Sequence, residues 1–199
     1  MTPFTTSIFS YLSLYTVKQI FEKHALELFD VEELGTHGGS LRIFAKHKED
    51  FSKKTTSNVS KILKKEDNAG LKNVKTYQIF QAKANTVKDD FLLFLLKAKK
   101  HNKTVVGYGA AAKGNTLLNY CGVKKDLVRF VVDASPHKQG RFLPASHIPV
   151  VEENEIRAAK PDYVVIFPWN IKTEIEQQLA YIRDWGGQFV IAIPQLKVF

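Results

Sequence analysis

Residues 107–114 read GYGAAAKG. A strand-to-helix turn built on Gly107, Gly109 and Gly114 would turn backbone amides at a helix N-terminus towards a phosphate or another polar ligand group. The spacing departs from the dinucleotide-binding fingerprint, because Ala112 takes the place of the third glycine and Gly114 comes two residues later. It is not a P-loop either, since Asn115 follows Gly114 where a lysine is required. Lys113 offers a point charge for phosphate and is equally an ordinary lysine in a first helical turn. Asp133 ends the next strand, where an acidic side chain accepts hydrogen bonds from ribose hydroxyls. The competing reading is that the glycines only tighten the turn and Asp133 caps a loop. His137, Lys138, Gln139 and Arg141 follow in the loop at the carboxyl edge of the sheet, where open α/β proteins bind ligands.

Other chemistry has less support. The six histidines show no ligand pair at i, i+4, so no metal site is expected. Ser135, Ser146 and Cys121 lack an evident base and orienting acid, which leaves nucleophilic catalysis unsupported. Trp169 and Asn170 read equally well as a packed aromatic and a helix N-cap. Gly107 and Gly109 with Asp133 suggest an NAD-dependent oxidoreductase only weakly, given the missing third glycine.

The elements that must position these residues begin at 103, where short β-rich runs alternate with helices, the pattern of a parallel sheet with crossover connections. Strands are expected at residues 104–108, 128–132, 163–167 and 189–193, with a further short strand at 148–151. Helices are expected at 114–120, 152–159 and 171–185. Upstream, apolar residues from Val74 to Leu95 keep helical spacing, so one long linking helix is expected over 74–100. Residues 50–70 are polar and lysine-rich, with a break at 68–70.

Leu14, Val17, Ile20 and Phe21 mark an amphipathic helix over 14–25, followed by two strands at 26–31 and 41–45 that form a hairpin. A helix and one hairpin hide little apolar surface, so Leu14, Val17, Phe21, Leu28 and Phe44 are expected to present uncovered faces that dock on something else. The 199 residues are 44% hydrophobic, enough for a folded core. The single cysteine excludes an internal disulfide and suits a reducing compartment. The longest apolar run, 91–96, is far short of the roughly 20 residues that span a bilayer. A soluble cytoplasmic protein is expected. The formal charge of +9 is dispersed over helical surface rather than gathered into a basic-aromatic patch, so neither a nucleic acid nor a membrane is expected as partner.

Residues 107–114, 132–149 (VDASPHKQGRFLPASHIP), 161–170 (PDYVVIFPWN) and 185–190 (WGGQFV) together resemble the C-terminal domain of S-adenosylmethionine-dependent sugar C-methyltransferases. Residues 9–17 (FSYLSLYTV) and 31–43 (VEELGTHGGSLRI) resemble the end of that family's methyl-donor domain. The resemblance implies an α/β fold, a Rossmann-like parallel sheet with flanking helices, preceded by a long helix and an N-terminal helix plus β-hairpin. It divides the chain into a methyl-donor remnant at 1–47, a helical linker at 48–102 and a nucleotide-sugar-binding domain at 103–199. It places Gly107, Tyr108, Gly109, Ala110, Lys113, Gly114, Asp133, His137, Lys138 and Arg141 against a nucleotide-linked deoxysugar of thymidine type. His37, Ser40 and Arg42 are further sugar contacts by the same likeness, or else ordinary polar residues of the glycine-rich hairpin turn.

In the family a Tyr-His-Glu-His run supplying the catalytic acid and base groups stands just before the FSYLS stretch. Thr5, Thr6, Ser7 and Ile8 stand here instead, and hydroxyl or aliphatic side chains do not take a proton near neutral pH as imidazole or carboxylate does. The family's zinc-binding cysteines and its glycine-rich turn for the methyl donor have no counterpart in these residues. The chain therefore reads as a truncated relative, with no cofactor expected on it although full-length members use S-adenosylmethionine. It is expected to bind a nucleotide sugar without catalysing methyl transfer, alone or with a companion chain or further copies of itself. The alternative is a non-enzymatic assembly or regulatory domain that binds a partner chain through its helix and hairpin.

Overall fold

The computed structural model describes residues 11–35 and 39–199. His37 and the segment 5–8 lie outside the described residues. The chain divides into two compact units, Met1–Gln81 and Ala82–Phe199.

In the first unit Ser13 accepts a hydrogen bond from the Thr16 amide and starts helix α1 (Leu14–Lys23). Strands β1 (Leu26–Leu34) and β2 (Ser40–His47) pair antiparallel. A bulge between Leu28 and Asp30 interrupts the register. The Phe29 carbonyl there accepts the Thr56 amide at 2.8 Å, and Thr56 caps α2 (Ser57–Asn68). The lysine-rich stretch thus contains a regular helix, ending before Gly70 at φ +71°.

Helix α2 corrects the expectation of uncovered faces. Val59 and Ile62, three residues apart, close over Leu14, Leu28 and Val31, so Leu14 and Leu28 are buried. Phe21 packs against the same cluster, and Val17 and Phe44 are half-buried. Glu66 of α2, itself buried, accepts the Leu14 and Tyr15 amides at 2.6 and 2.9 Å and holds the first turn of α1. The polar composition of residues 50–70 concealed this, because three inward positions suffice to make the lid.

Residues 74–100 form two helices, not one: α3 (Val74–Gln78) and α4 (Phe80–Lys100), broken at Ile79. The Thr76 hydroxyl donates to the Gly70 carbonyl and the Tyr77 hydroxyl to that of Leu71, tying α3 to the preceding turn. Val74, Tyr77 and Phe80 remain exposed, so their helical spacing marks no buried face. In α4 the buried positions are Phe91, Leu95 and Ala98, all part of the second unit's core.

The second unit is built on strands β3 (Val105–Tyr108), β4 (Val131–Val132), β5 (Arg141–Phe142), β6 (Pro149–Val151), β7 (Tyr163–Ile166), β8 (Gln188–Ile191) and β9 (Lys197–Val198). Their order is β5-β6-β4-β3-β7-β8-β9, with the inner five parallel and β5 and β9 antiparallel at the edges. This is a Rossmann-like α/β sheet. Alternating residues explain its two apolar faces. Val105, Val131, Val165 and Val190 face the side of α4 and of α5 (Ala112–Tyr120). Val106, Val132, Val164 and Phe189 face that of α6 (Asn154–Ala159) and α7 (Lys172–Gln178).

Three expectations need correction. The strand read at 128–132 pairs only at Val131–Val132, although the Arg129 amide still donates to the Val105 carbonyl. The helix read at 171–185 is α7 flanked by 3-10 turns, Trp169–Ile171 and Ala180–Trp185. The tighter Ile182-to-Leu179 bond of 2.9 Å there keeps both side chains in the core. The antiparallel edges β5 and β9 were not foreseen, being two residues each with no period to read. Among the described residues no helix is long and apolar enough to cross a membrane.

Candidate functional site

From β3 the chain runs to β4 and β6 on one side, then returns to place β7 on the other. The order therefore reverses at β3, which sets the loops that follow β3 and β7 side by side at the switch point, the place where open α/β sheets form their ligand crevice. The glycine loop forms one wall and residues 167–171 the other.

The two walls are fitted to each other. A Cβ on Gly114 would lie 2.6 Å from the Phe167 Cβ, and one on Gly107 would lie 2.4 Å from the Phe167 ring. Gly109, at φ +90°, would meet the Pro168 ring at 2.6 Å. These glycines are thus required by close packing against the β7 loop. Above that contact the Lys113 ammonium stands 5.1 Å from the centre of the Trp169 ring, a cation–π pair across the crevice. Trp169 is half-buried, packing against the core with its remaining surface open. Asn170 does not cap α7, since Ile171 holds that position.

Asp133 knits the floor together. One of its oxygens accepts the Ala110 amide at 2.8 Å and the Lys138 ammonium at 3.0 Å, and the other accepts the Ser135 amide at 2.9 Å. Gln139 donates to the Asp133 backbone carbonyl at 2.9 Å. Helix α5 then starts at Ala112 with Ala111 in the cap position and no side-chain cap. Three internal donors thus occupy this buried carboxylate, which ties the glycine loop to the loop after β4.

The structure brings Gly107, Gly109, Ala110, Lys113, Gly114, Asp133 and Lys138 to one loop cluster. His137 is exposed on the same loop, while Arg141 leads into β5, opposite Val150 and exposed. Ser40 and Arg42 lie on the hairpin of the first unit, where Arg42 pairs with Glu32 directly across the strands at 3.1 Å. Tyr108 is almost wholly buried on the α6–α7 face. Burial pushes its phenol above its ordinary value, and its side chain bonds to Gln178. Gln178 in turn donates to Glu153 at 2.5 Å, and the Tyr181 hydroxyl reaches the other Glu153 oxygen at 3.4 Å. Tyr181 is pushed up to about 12, chiefly by burial and then by the Glu153 charge. Neither Trp169 as a crevice wall nor this Glu153 network is signalled by spacing, because each depends on which loops the sheet order juxtaposes.

With that geometry in place, the match to known proteins is specific. The C-methyltransferase C-terminal domain family matches residues 35–194. The chain belongs to this family. It is 33% identical over 190 residues to the C-methyltransferase NovU of Streptomyces niveus, which covers 96% of this chain and 45% of that protein. The chain thus spans less than half the length of that relative. Within this C-methyltransferase C-terminal domain, the matched region takes in both walls of the crevice and the Asp133 floor. Among the described residues no three His, Cys, Asp or Glu side chains converge as a metal set.

Proposed function

We propose that this chain is the nucleotide-sugar-binding portion of a S-adenosylmethionine-dependent sugar C-methyltransferase, whose substrate is a thymidine-type nucleotide carrying a keto-deoxysugar. The observation that carries the reading is the Lys113–Trp169 pair across the sheet's switch-point crevice. Lys113 supplies a cation for the diphosphate, and the open surface of the indole supplies a platform for the base or sugar ring. Lys138 is held by Asp133 beside the glycine loop, and His137 stands exposed next to it.

In this reading residues 103–199 form the nucleotide-sugar domain, residues 1–47 the end of a methyl-donor domain and residues 48–102 their helical connection, with α4 lending Phe91 and Leu95 to the sugar-side core. By the family likeness His37, Ser40 and Arg42 are further candidate sugar contacts. The donor, when bound to a complete relative, supplies an electrophilic methyl group for a carbon next to the keto group. The residues of this chain bind and orient the acceptor and take no proton from it. Cys121, buried and reduced, suits a cytoplasmic setting.

Calorimetric titration of the chain with thymidine diphosphate and thymidine diphospho-deoxysugars tests the reading. Saturable heat in the micromolar to millimolar range is expected, and no heat with any of them at millimolar concentration overturns it. Incubation with labelled S-adenosylmethionine and a keto-deoxysugar nucleotide is expected to give no methylated product from residues 1–199 alone. Turnover by the pure chain would refute that part.

A further inference from the structure

At the amino edge of the sheet, opposite the glycine loop, lies a cleft of about 310 Å3 lined by Lys99, Lys103, Thr104, Lys125, Asp126 and Arg129. It forms where the end of α4 and the segment before β4 meet the start of β3. The Arg129 amide bond to the Val105 carbonyl, at 3.0 Å, fixes that junction.

The charges of this cleft do not balance internally. Lys99 takes Asp126 at 2.8 Å, and Lys103 takes Asp162 at 2.8 Å. The second Asp162 oxygen accepts the Thr104 amide at 2.8 Å. Both nearby carboxylates are thereby engaged. The Lys125 and Arg129 side chains have no acidic or hydrogen-bonding partner among the described residues, although both line the cleft. The carbonyl end of α4 does not account for them, because Lys97, Lys99 and Lys100 already occupy its last turn.

We propose that this cleft is an anion site that takes a small multivalent oxyanion of the pyrophosphate class, gripped by the Arg129 fork and the Lys125 ammonium. Guanidinium pairs two phosphate oxygens at once and ammonium adds a point charge, which together suit a compact polyphosphate better than a single carboxylate. A volume near 310 Å3 holds one small molecule. An acidic protein partner would need a contact surface of about 800 Å2, far beyond such a cleft. The proposal stands apart from the reading of the Lys113–Trp169 crevice.

The test is titration of the 15N-labelled full chain with inorganic pyrophosphate, followed by amide shifts. Saturable shifts at Thr104 and from Lys125 to Arg129 are expected. The Lys125→Gln/Arg129→Gln double variant, changed only at exposed positions, is expected to weaken that binding by roughly tenfold or more. It should leave any shifts at Ala110 to Gly114 as in the parent, so binding in the crevice is read separately. Shifts confined to Ala110–Gly114, a linear response at Thr104 and Arg129, or unchanged binding in the double variant would each overturn the proposal. So would saturable binding there by an oligoglutamate peptide but not by pyrophosphate, which would make the site a docking point for acidic protein.

Discussion

The Asp133 carboxylate accepts the Ala110 amide at 2.8 Å, joining the end of β4 to the glycine loop after β3. Asp133 is buried and holds the Ser135 amide and the Lys138 ammonium as well, so its removal leaves two backbone amides without their acceptor and deletes a charge-assisted bond. Asp133→Ala is expected to lower unfolding free energy by about 2–3 kcal/mol, in the range for a charged hydrogen-bonded group. It should also weaken nucleotide-sugar binding, because the loop amides lose their tether. Urea denaturation and calorimetry read the two effects; a variant as stable as the parent would show that the carboxylate does not organise the loop.

Gly114 sits in the first turn of α5, where alanine would ordinarily favour the helix by about 1 kcal/mol. The added methyl would meet the Phe167 Cβ at 2.6 Å in a buried contact with no room to yield. Overpacking costs about 1–3 kcal/mol, so Gly114→Ala is expected to be net destabilising by about 1–2 kcal/mol. Combining it with Phe167→Gly, which removes the Cβ and the ring that the new methyl would meet, should show a favourable coupling in a double-mutant cycle. Strict additivity would mean that the two residues do not constrain each other.

Trp169→Ala and Lys113→Ala each remove one half of the pair across the crevice. An exposed cation–π contact is worth about 0.5–1 kcal/mol and stacking of a base on an aromatic ring about 1–3 kcal/mol, so Lys113→Ala is expected to bind a thymidine diphospho-sugar a few-fold, and Trp169→Ala roughly tenfold, more weakly. Lys113→Ala should leave the melting temperature nearly unchanged, because that side chain is exposed. Equal affinity of Lys113→Ala and parent would remove the crevice from the binding site.

Cys121 is buried, and burial pushes its thiol up to about 11. The thiolate is the reactive form. The native chain at pH 7–8 is therefore expected to react with a disulfide reagent only as fast as it opens, orders of magnitude slower than in denaturant. Rapid stoichiometric labelling under native conditions would contradict the burial of the α5 C-terminus.

Asp30 contributes to the acid-side pH dependence of the first unit, alongside Asp50, whose carboxyl the Ser52 side chain and amide also hold below its ordinary value. The Thr56 hydroxyl, the Asn58 amide group and the Val31 backbone amide, in that order, hold its carboxyl below the ordinary 3.8. A carboxyl lowered in the folded state stabilises the fold only while ionised. Its contribution is complete above 3.8 and disappears as pH falls through the lowered native value. Asp30→Asn is expected to flatten the acid limb of stability below 3.8 and to leave its shape at neutral pH unchanged. Urea midpoints measured from pH 2 to 7 decide this, and an acid limb identical to the parent's would assign the dependence elsewhere.

Short-range regularities determined much of this protein by sequence alone. Alternating apolar runs at Val105, Val131, Val164 and Phe189, separated by helical spacing, sufficed for an α/β parallel sheet, and Gly107 to Gly114 marked the turn after its central strand. The motifs around Asp133 and Pro161 carried the family. Tertiary structure decided what those residues do. The glycines are demanded by Phe167 and Pro168, more than fifty positions away, so nothing in their spacing distinguishes a packing requirement from a phosphate cradle. Helix α2 packs on Leu14 and Leu28 through Val59, Ile62 and the partly buried Leu63, too few apolar positions to stand out in a lysine-rich segment. The crevice and its Lys113–Trp169 pair exist because the strand order reverses at β3, and strand order is set by which apolar faces pack best across the whole sheet.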